Sequence, residues 1–174
     1  MANSQIRTSD SGRRVLILGL GNPLRGDDGV GPRVVAELRR RGLPEGVEAV
    51  DGGTLGLDLL YLLEGWDQVI IVDAAILGRN PGEFLRFTPE DAHLVGSLAS
   101  LSSHSAGLAE TLALARALGR ALPEIIIYGI QPERMDWEEG LSPAVEAALP
   151  RLVKEIRKHV MACSEEGGKP ERPL

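Results

Sequence analysis

Apolar and polar residues follow one another in blocks, and the blocks predict a regular succession of strands and helices. Four short runs are apolar almost throughout, which is typical of parallel strands covered on both faces. They span residues 15–20, 47–50, 68–72 and 125–130. Residues 83–87 alternate instead, and we expect an edge strand there, antiparallel to the third strand.

Between these runs the apolar residues recur at the three- and four-residue spacing of a helix face. The first such segment carries Val30, Val34, Val35 and Leu38 on one face and arginines on the other. The predicted helices span residues 30–41, 57–64, 106–118 and 142–161. Strands and helices alternate, so we predict an α/β fold, a three-layer α/β/α sandwich with a mostly parallel sheet of about five strands.

Length and composition fit one domain with flexible ends. We expect a disordered leader over residues 1–14, a single domain over residues 15–162 and a flexible tail over residues 163–174. The sole cysteine, Cys163, falls in that tail, and one thiol cannot form a disulfide framework or a thiolate metal cluster within the chain. The polar leader lacks the apolar core of a secretory signal, so we expect a cytoplasmic protein without membrane insertion.

The net charge of the chain indicates which partners to expect. The net charge is -6, whereas a protein that binds nucleic acid needs a basic face. Nucleic acid is therefore not the expected partner. Trp66 and Trp137 lie in polar loops, where each packs over the sheet edge or contacts a partner.

The end of the first predicted strand carries a glycine motif, Gly19-x-Gly21. The third glycine of a dinucleotide-binding loop would fall at Leu24, and two acids follow where a pyrophosphate would need amide donors. The motif therefore favours a turn that presents carboxylates over a nucleotide-binding loop.

Acidic residues follow three of the predicted strands, and a histidine lies in a later loop: these are Asp27, Asp28, Asp51, Asp73 and His104. Because parallel strands open on one edge, the side chains can converge there, either on a divalent transition metal or for acid/base chemistry. The alternative is that the acids cap helices and the histidine has a structural role. A serine nucleophile is not favoured, since the chain has no G-x-S-x-G elbow.

Five motifs, in this order, resemble the hydrogenase maturation endopeptidase family. They are the run from Gly19 to Gly31 (GLGNPLRGDDGVG), Asp51-Gly52-Gly53-Thr54, Ile70-Ile71-Val72-Asp73-Ala74, His104-Ser105-Ala106-Gly107-Leu108 and Gly129-Ile130-Gln131-Pro132-Glu133. The resemblance extends over about residues 15–160. It implies a phosphorylase/hydrolase-like fold.

The same resemblance implies a metal-dependent, aspartic-type endopeptidase. Its substrate would be the nickel-loaded large-subunit precursor of a nickel-iron hydrogenase, from which it removes the C-terminal extension after nickel insertion. The metal-binding positions fall on Asp28, Asp73 and His104, which we also expect to be catalytic. These residues either hold a catalytic metal or only recognise the substrate's nickel. The family often has Glu where this chain has Asp28, which leaves Asp27 as an alternative ligand. Nickel is expected to arrive with the substrate, and another divalent metal is the alternative.

Two other functions fit parts of the sequence. Peptidyl-tRNA hydrolases also begin with a strand and Gly-Leu-Gly-Asn-Pro, but they should then have a histidine soon afterwards and a basic surface. Here Asp27 and Asp28 stand in that region, and the chain is acidic. A non-enzymatic nickel-binding maturation chaperone would use the same ligands without cutting a peptide.

Overall fold

The computed structural model describes residues 12–54, 58–91 and 105–166, and it has the alternating order of strands and helices that the sequence predicts. The strands are β1 (Val15–Leu20), β2 (Val47–Gly53), β3 (Gln68–Ala74), β4 (Phe84–Phe87) and β5 (Glu124–Ile130). The helices are a 3-10 helix (Gly26–Gly29), α1 (Val30–Arg41), α2 (Leu59–Leu62), α3 (Ser105–Ala117) and α4 (Pro143–Glu166).

The five strands form one sheet in the order β2-β1-β3-β5-β4. The pairs β1–β2, β1–β3 and β3–β5 are parallel, and β4 is antiparallel to β5. The prediction of a mostly parallel sheet of about five strands is confirmed. Parallel pairing places the carboxyl ends of β1, β2, β3 and β5 at one edge, which we call the carboxyl edge.

The predicted partner of β4 was wrong. We expected β4 beside the third strand, whereas β5 lies between them and its register pairs Phe84 with Ile130. The burial of the two strands explains the order. Six of the seven residues of β5 are buried, so this strand needs cover on both faces. Only Phe87 is fully buried in β4, which suits the edge of a sheet.

Two apolar cores cover the two faces of the sheet. Neighbouring residues of a strand point to opposite faces, so Ile70 packs in the core with α1 and α4, and Ile71 packs in the core with α2 and α3. This arrangement confirms the three-layer sandwich.

The ends of the domain differ from the prediction. Helix α4 continues to Glu166, and Cys163 is buried, so the expected flexible tail does not begin at Cys163. The reason is helical spacing: Ile156, Val160 and Cys163 lie on one face, four and three residues apart, and all three pack in the core with α1. At the other end, the backbone N–H of Arg14 donates to Asp67, so this part of the expected leader belongs to the fold.

Helix α2 is shorter than the predicted 57–64, and residue 57 lies outside the described ranges.

Across the described ranges, no helix combines the length and the apolar composition needed to cross a bilayer.

Candidate functional site at the carboxyl edge

Three glycines let the turn after β1 pack directly against the start of α1. A Cβ on Gly19 would lie 2.3 Å from the carbonyl oxygen of Gly31, and a Cβ on Gly31 would lie 2.6 Å from that of Val72. Gly21 has a φ of 123°, and a Cβ there would lie 1.8 Å from the backbone oxygen of Asp28. The Gly-x-Gly motif therefore serves close backbone packing, which seats the 3-10 helix against the ends of β1 and β3.

This packing buries two carboxylates at the carboxyl edge. Asp28 lies in the 3-10 helix and Asp73 near the end of β3, and both have 0% relative exposure. The 3-10 helix contacts β3, and the backbone N–H of Asn22 donates to Oδ2 of Asp28 at 3.0 Å. Buried carboxylates are costly unless they are hydrogen-bonded, paired or bound to a cation, so their placement at one edge marks a candidate site.

Asp27 is buried as well, but its carboxylate holds the loop after β5. Its Oδ2 accepts hydrogen bonds from the backbone N–H groups of Glu133 (2.8 Å) and Arg134 (3.1 Å). Ser142 donates to both oxygens, through its backbone N–H to Oδ1 at 2.7 Å and through its hydroxyl to Oδ2 at 2.9 Å. Four such bonds give this carboxylate a structural role, so of the two adjacent acids Asp28 is the better candidate ligand.

Asp51 does not join the buried pair. It is exposed on the edge strand β2, and its Oδ1 accepts a hydrogen bond from the backbone N–H of Gly53 at 2.9 Å. This bond is an Asx turn, which is the structural role that the sequence left open for the strand-end acids.

His104 lies outside the described residues, immediately before the first residue of α3, and His93 also lies outside them. Leu108 and Leu112 of α3 are buried in the core with α2. Within residues 12–54, 58–91 and 105–166, no group of three histidine, cysteine or acidic residues is placed to hold a metal. The assignment of His104 as a third ligand therefore stays a prediction.

The sequence did not reveal the link between Asp27 and the loop that follows β5, which we call the 131–142 loop. The only signal was Ser142 before the apolar face of α4, which is typical of an N-cap; its hydroxyl accepts from the backbone N–H of Val145 at 3.3 Å. Gln131 at the start of the loop belongs to the fifth motif, but the sequence did not reveal its contact. Its Oε1 accepts from the backbone N–H of Leu77 at 2.7 Å, which ties the loop to the segment after β3.

Comparison with known proteins agrees with this architecture. Residues 32–159 match a family model described as hydrogenase maturation protease. The chain is 34% identical over 157 residues to the hydrogenase 2 maturation protease of Escherichia coli strain K12. The match covers 89% of this chain and 93% of that protein. It is 36% identical over 140 residues to the hydrogenase expression/formation protein HupD of Bradyrhizobium diazoefficiens, covering 79% and 73% of the two chains.

Solved structures give the same result. The hydrogenase maturating endopeptidase HybD from E. coli superposes with a TM-score of 0.76 at 32% identity, over 86% of this chain and 93% of that one. A nickel-iron hydrogenase maturation protease HybD from Thermococcus kodakarensis gives a TM-score of 0.69 at 32% identity, over 84% and 98% of the two chains. The family model, the sequence relatives and the fold thus lead to one conclusion: this chain belongs to the hydrogenase maturation protease family.

Proposed function

We propose that the protein removes the C-terminal extension from the large-subunit precursor of a nickel-iron hydrogenase, after nickel has been inserted. Membership of the maturation protease family supports the reaction class. The observation that carries the proposal for the site is the complete burial of Asp28 and Asp73 at the carboxyl edge. Active sites of open α/β sheets lie at this edge, because loops held by rigid strands meet there.

In this proposal Asp28, Asp73 and His104 bind the nickel that the precursor carries. Both carboxylates are fully buried at one edge, and a divalent cation would offset the cost of burying their negative charge. Imidazole is a suitable ligand for nickel, and the set contains no thiolate. The chemistry of the donors therefore fits a divalent transition metal, with another divalent ion as the alternative.

The chain's own groups position the reactants. The backbone N–H of Asn22 fixes the orientation of the Asp28 carboxylate. A carboxylate of the pair accepts a proton from the attacking water, whose oxygen bonds to the carbonyl carbon of the scissile peptide. The C–N bond then breaks, and the proton passes to the leaving amine. The bound nickel supplies Lewis-acid polarisation of the reacting groups.

Recognition of nickel would make cleavage follow metal insertion. A precursor without nickel lacks the group that the three side chains bind, so it loses that part of its binding free energy. The enzyme would then cut a loaded precursor and leave an unloaded one intact.

The test is a cleavage assay on purified precursor, with and without nickel, read by the loss of mass from its C-terminus. We expect cleavage of the loaded form only. Asp28→Asn, Asp73→Asn and His104→Ala should each lower the rate by roughly 100-fold or more, the usual effect of removing an acid/base group. Asp28→Glu should keep activity, because it retains the carboxylate.

A matched control is Asp58→Asn, since Asp58 is exposed before α2 and its side chain makes no capping hydrogen bond. Equal cleavage of loaded and unloaded precursor would contradict nickel recognition. Nickel retention without any cleavage would favour the chaperone, and activity on peptidyl-tRNA alone would favour that hydrolase. Full activity of Asp73→Asn and His104→Ala would overturn the site assignment.

A further inference from the structure

The 131–142 loop is an irregular surface segment, but it is fixed firmly to the turn that carries Asp28. Besides the four bonds to the Asp27 carboxylate, Gly26 N–H donates to the carbonyl of Glu138 at 2.7 Å and Asp27 N–H to that of Arg134 at 3.0 Å. The guanidinium of Arg25 donates to the carbonyl of Met135 at 3.2 Å. Residues 25–27 thus hold the loop at several points along its length.

The most exposed large apolar side chain of the described residues lies on this fixed loop. Trp137 is 77% exposed, with the Arg25 guanidinium 5.4 Å from its ring centroid. Leu24 (49% exposed) and Ile76 (54% exposed) lie in the loops that follow β1 and β3, at the same carboxyl edge. An exposed tryptophan on a rigid support loses little conformational entropy on binding, and tryptophan is enriched among residues that dominate binding energy.

The charge around Trp137 indicates the chemistry of its partner. Four acidic residues of the loop, Glu133, Asp136, Glu138 and Glu139, are exposed. Arg134 pairs with Asp136 at 3.7 Å and with Glu138. Among the described residues, Glu133 and Glu139 have no ion pair, so their charge is available to a cationic partner. A lysine or arginine could stack its stem on the indole and place its charge near these carboxylates.

We propose that Trp137 and its flanking carboxylates form the docking surface for a positively charged segment of the substrate polypeptide, beside the bond that is cut. This inference rests on the proposed function, because it takes the hydrogenase precursor as the partner. The fixed connection through Asp27 sets the distance between the docked segment and Asp28. The loop thereby contributes to substrate binding, and the carboxylate pair contributes to the reaction.

The test measures binding and cleavage separately with the full chain and a nickel-loaded precursor. Trp137→Ala should raise the Kd, and the KM of cleavage, by about ten- to a hundredfold, with kcat changed little. The double variant Glu133→Gln/Glu139→Gln should raise the Kd less and weaken its dependence on salt.

The matched control is Tyr61→Ala. Tyr61 is 69% exposed and has Arg120 at 5.8 Å from its ring, but Arg120 precedes β5 and so lies toward the opposite edge of the sheet. The proposal fails if Trp137→Ala and Tyr61→Ala affect the Kd equally while both variants stay folded. It also fails if the chain alone is a dimer that Trp137→Ala dissociates, since a second copy would then cover this surface.

The two proposals can fail independently. If the wild type binds the precursor but does not cut it, the proposed reaction is wrong, and the effect of Trp137→Ala on the Kd still tests the docking surface. If the wild type cuts the precursor and Trp137→Ala leaves the Kd and KM unchanged, only the docking surface is wrong.

Discussion

At the scale of single residues, Asp27 and Asp28 are adjacent in the chain and equally buried, but their hydrogen bonds differ. Asp27 accepts four hydrogen bonds from residues near the two ends of the 131–142 loop. Asp28 lies beside the ends of β1 and β3, and its Oδ2 accepts a hydrogen bond from the backbone N–H of Asn22 in its own turn. One carboxylate therefore holds the scaffold, and the other is placed to act on a substrate.

Replacing Asp27 should reduce stability. Asp27→Asn puts an NH2 group where the carboxylate accepts backbone N–H donors, so at least one buried donor loses its acceptor. We expect the free energy of unfolding to fall by about 3 kcal/mol, measured by urea denaturation. Asp51→Asn is the control, because an asparagine can form the same Asx turn; its effect should stay within about 0.5 kcal/mol. Equal losses in the two variants would contradict the role of Asp27.

Alanine substitutions at two glycines can distinguish the cost of backbone strain from the cost of a close packing contact. Gly21 and Gly42 both have positive φ, 123° and 76°, but a Cβ on Gly42 would have nothing within 4 Å. Gly42→Ala should cost about 1–3 kcal/mol of unfolding free energy, because its φ of 76° and ψ of 144° are strained for any residue with a Cβ. Gly21→Ala should cost about 1–3 kcal/mol more, because its Cβ meets the backbone of Asp28. Similar losses would show that the packing around Asp28 adjusts freely.

At the scale of elements, α4 carries a partly buried polar contact that links it to the sheet. His159 Nε2 lies 3.1 Å from Oε1 of Gln68 in β3, and Nδ1 lies 3.4 Å from the hydroxyl of Tyr128 in β5. Burial lowers the pKa of His159, and the positive charge of Arg86 lowers it further. Burial also raises the pKa of Tyr128 to about 12. The neutral imidazole therefore fits this contact.

The burial of His159 should make stability depend on pH. The pKa of His159 is lowered from its ordinary value of 6.5, so the unfolded chain binds a proton that the folded chain does not. The free energy of unfolding should therefore be highest above about pH 6.5. As the pH drops below this value, it should fall by less than about 1.4 kcal/mol per pH unit. Urea denaturation at several pH values should show a weaker dependence in His159→Gln, and an unchanged dependence would contradict the role of His159.

The elements also show how far the sequence could predict the fold. The bounds of β1 and α1 agree with the prediction, because a continuous apolar run and the end of a helical pattern at Gly42 are local features. The partner of β4 and the end of α4 were predicted wrongly. Both depend on contacts with residues distant in the sequence, β5 in the first case and the core beside α1 in the second.

At the scale of the whole molecule, the two tryptophans report on opposite edges of the sheet. Trp66 lies just before β3, under the Arg14 guanidinium at 4.5 Å, and Trp137 lies on the 131–142 loop. If the two cores unfold together, variants that keep only one tryptophan should have the same denaturation midpoint. Ile70→Ala and Ile71→Ala open cavities in different cores. Each should nevertheless lower the midpoint reported by both tryptophans, with a loss of about 2–5 kcal/mol of unfolding free energy. Separate midpoints would contradict a single cooperative unit.

The sequence by itself determined the fold class, the order of the elements and the family, because periodicity and short motifs are properties of neighbouring residues. It also indicated Asp28, Asp73 and His104 as the residues to test. Only the tertiary structure distinguished Asp27 from Asp28, removed Asp51 from the buried group and placed Trp137 on a loop fixed to the candidate site. The role of Asp27 and the position of Trp137 depend on hydrogen bonds between segments more than 100 residues apart, such as the bond from Ser142 to Asp27. No local pattern encodes such a contact, since it exists only once the chain has folded.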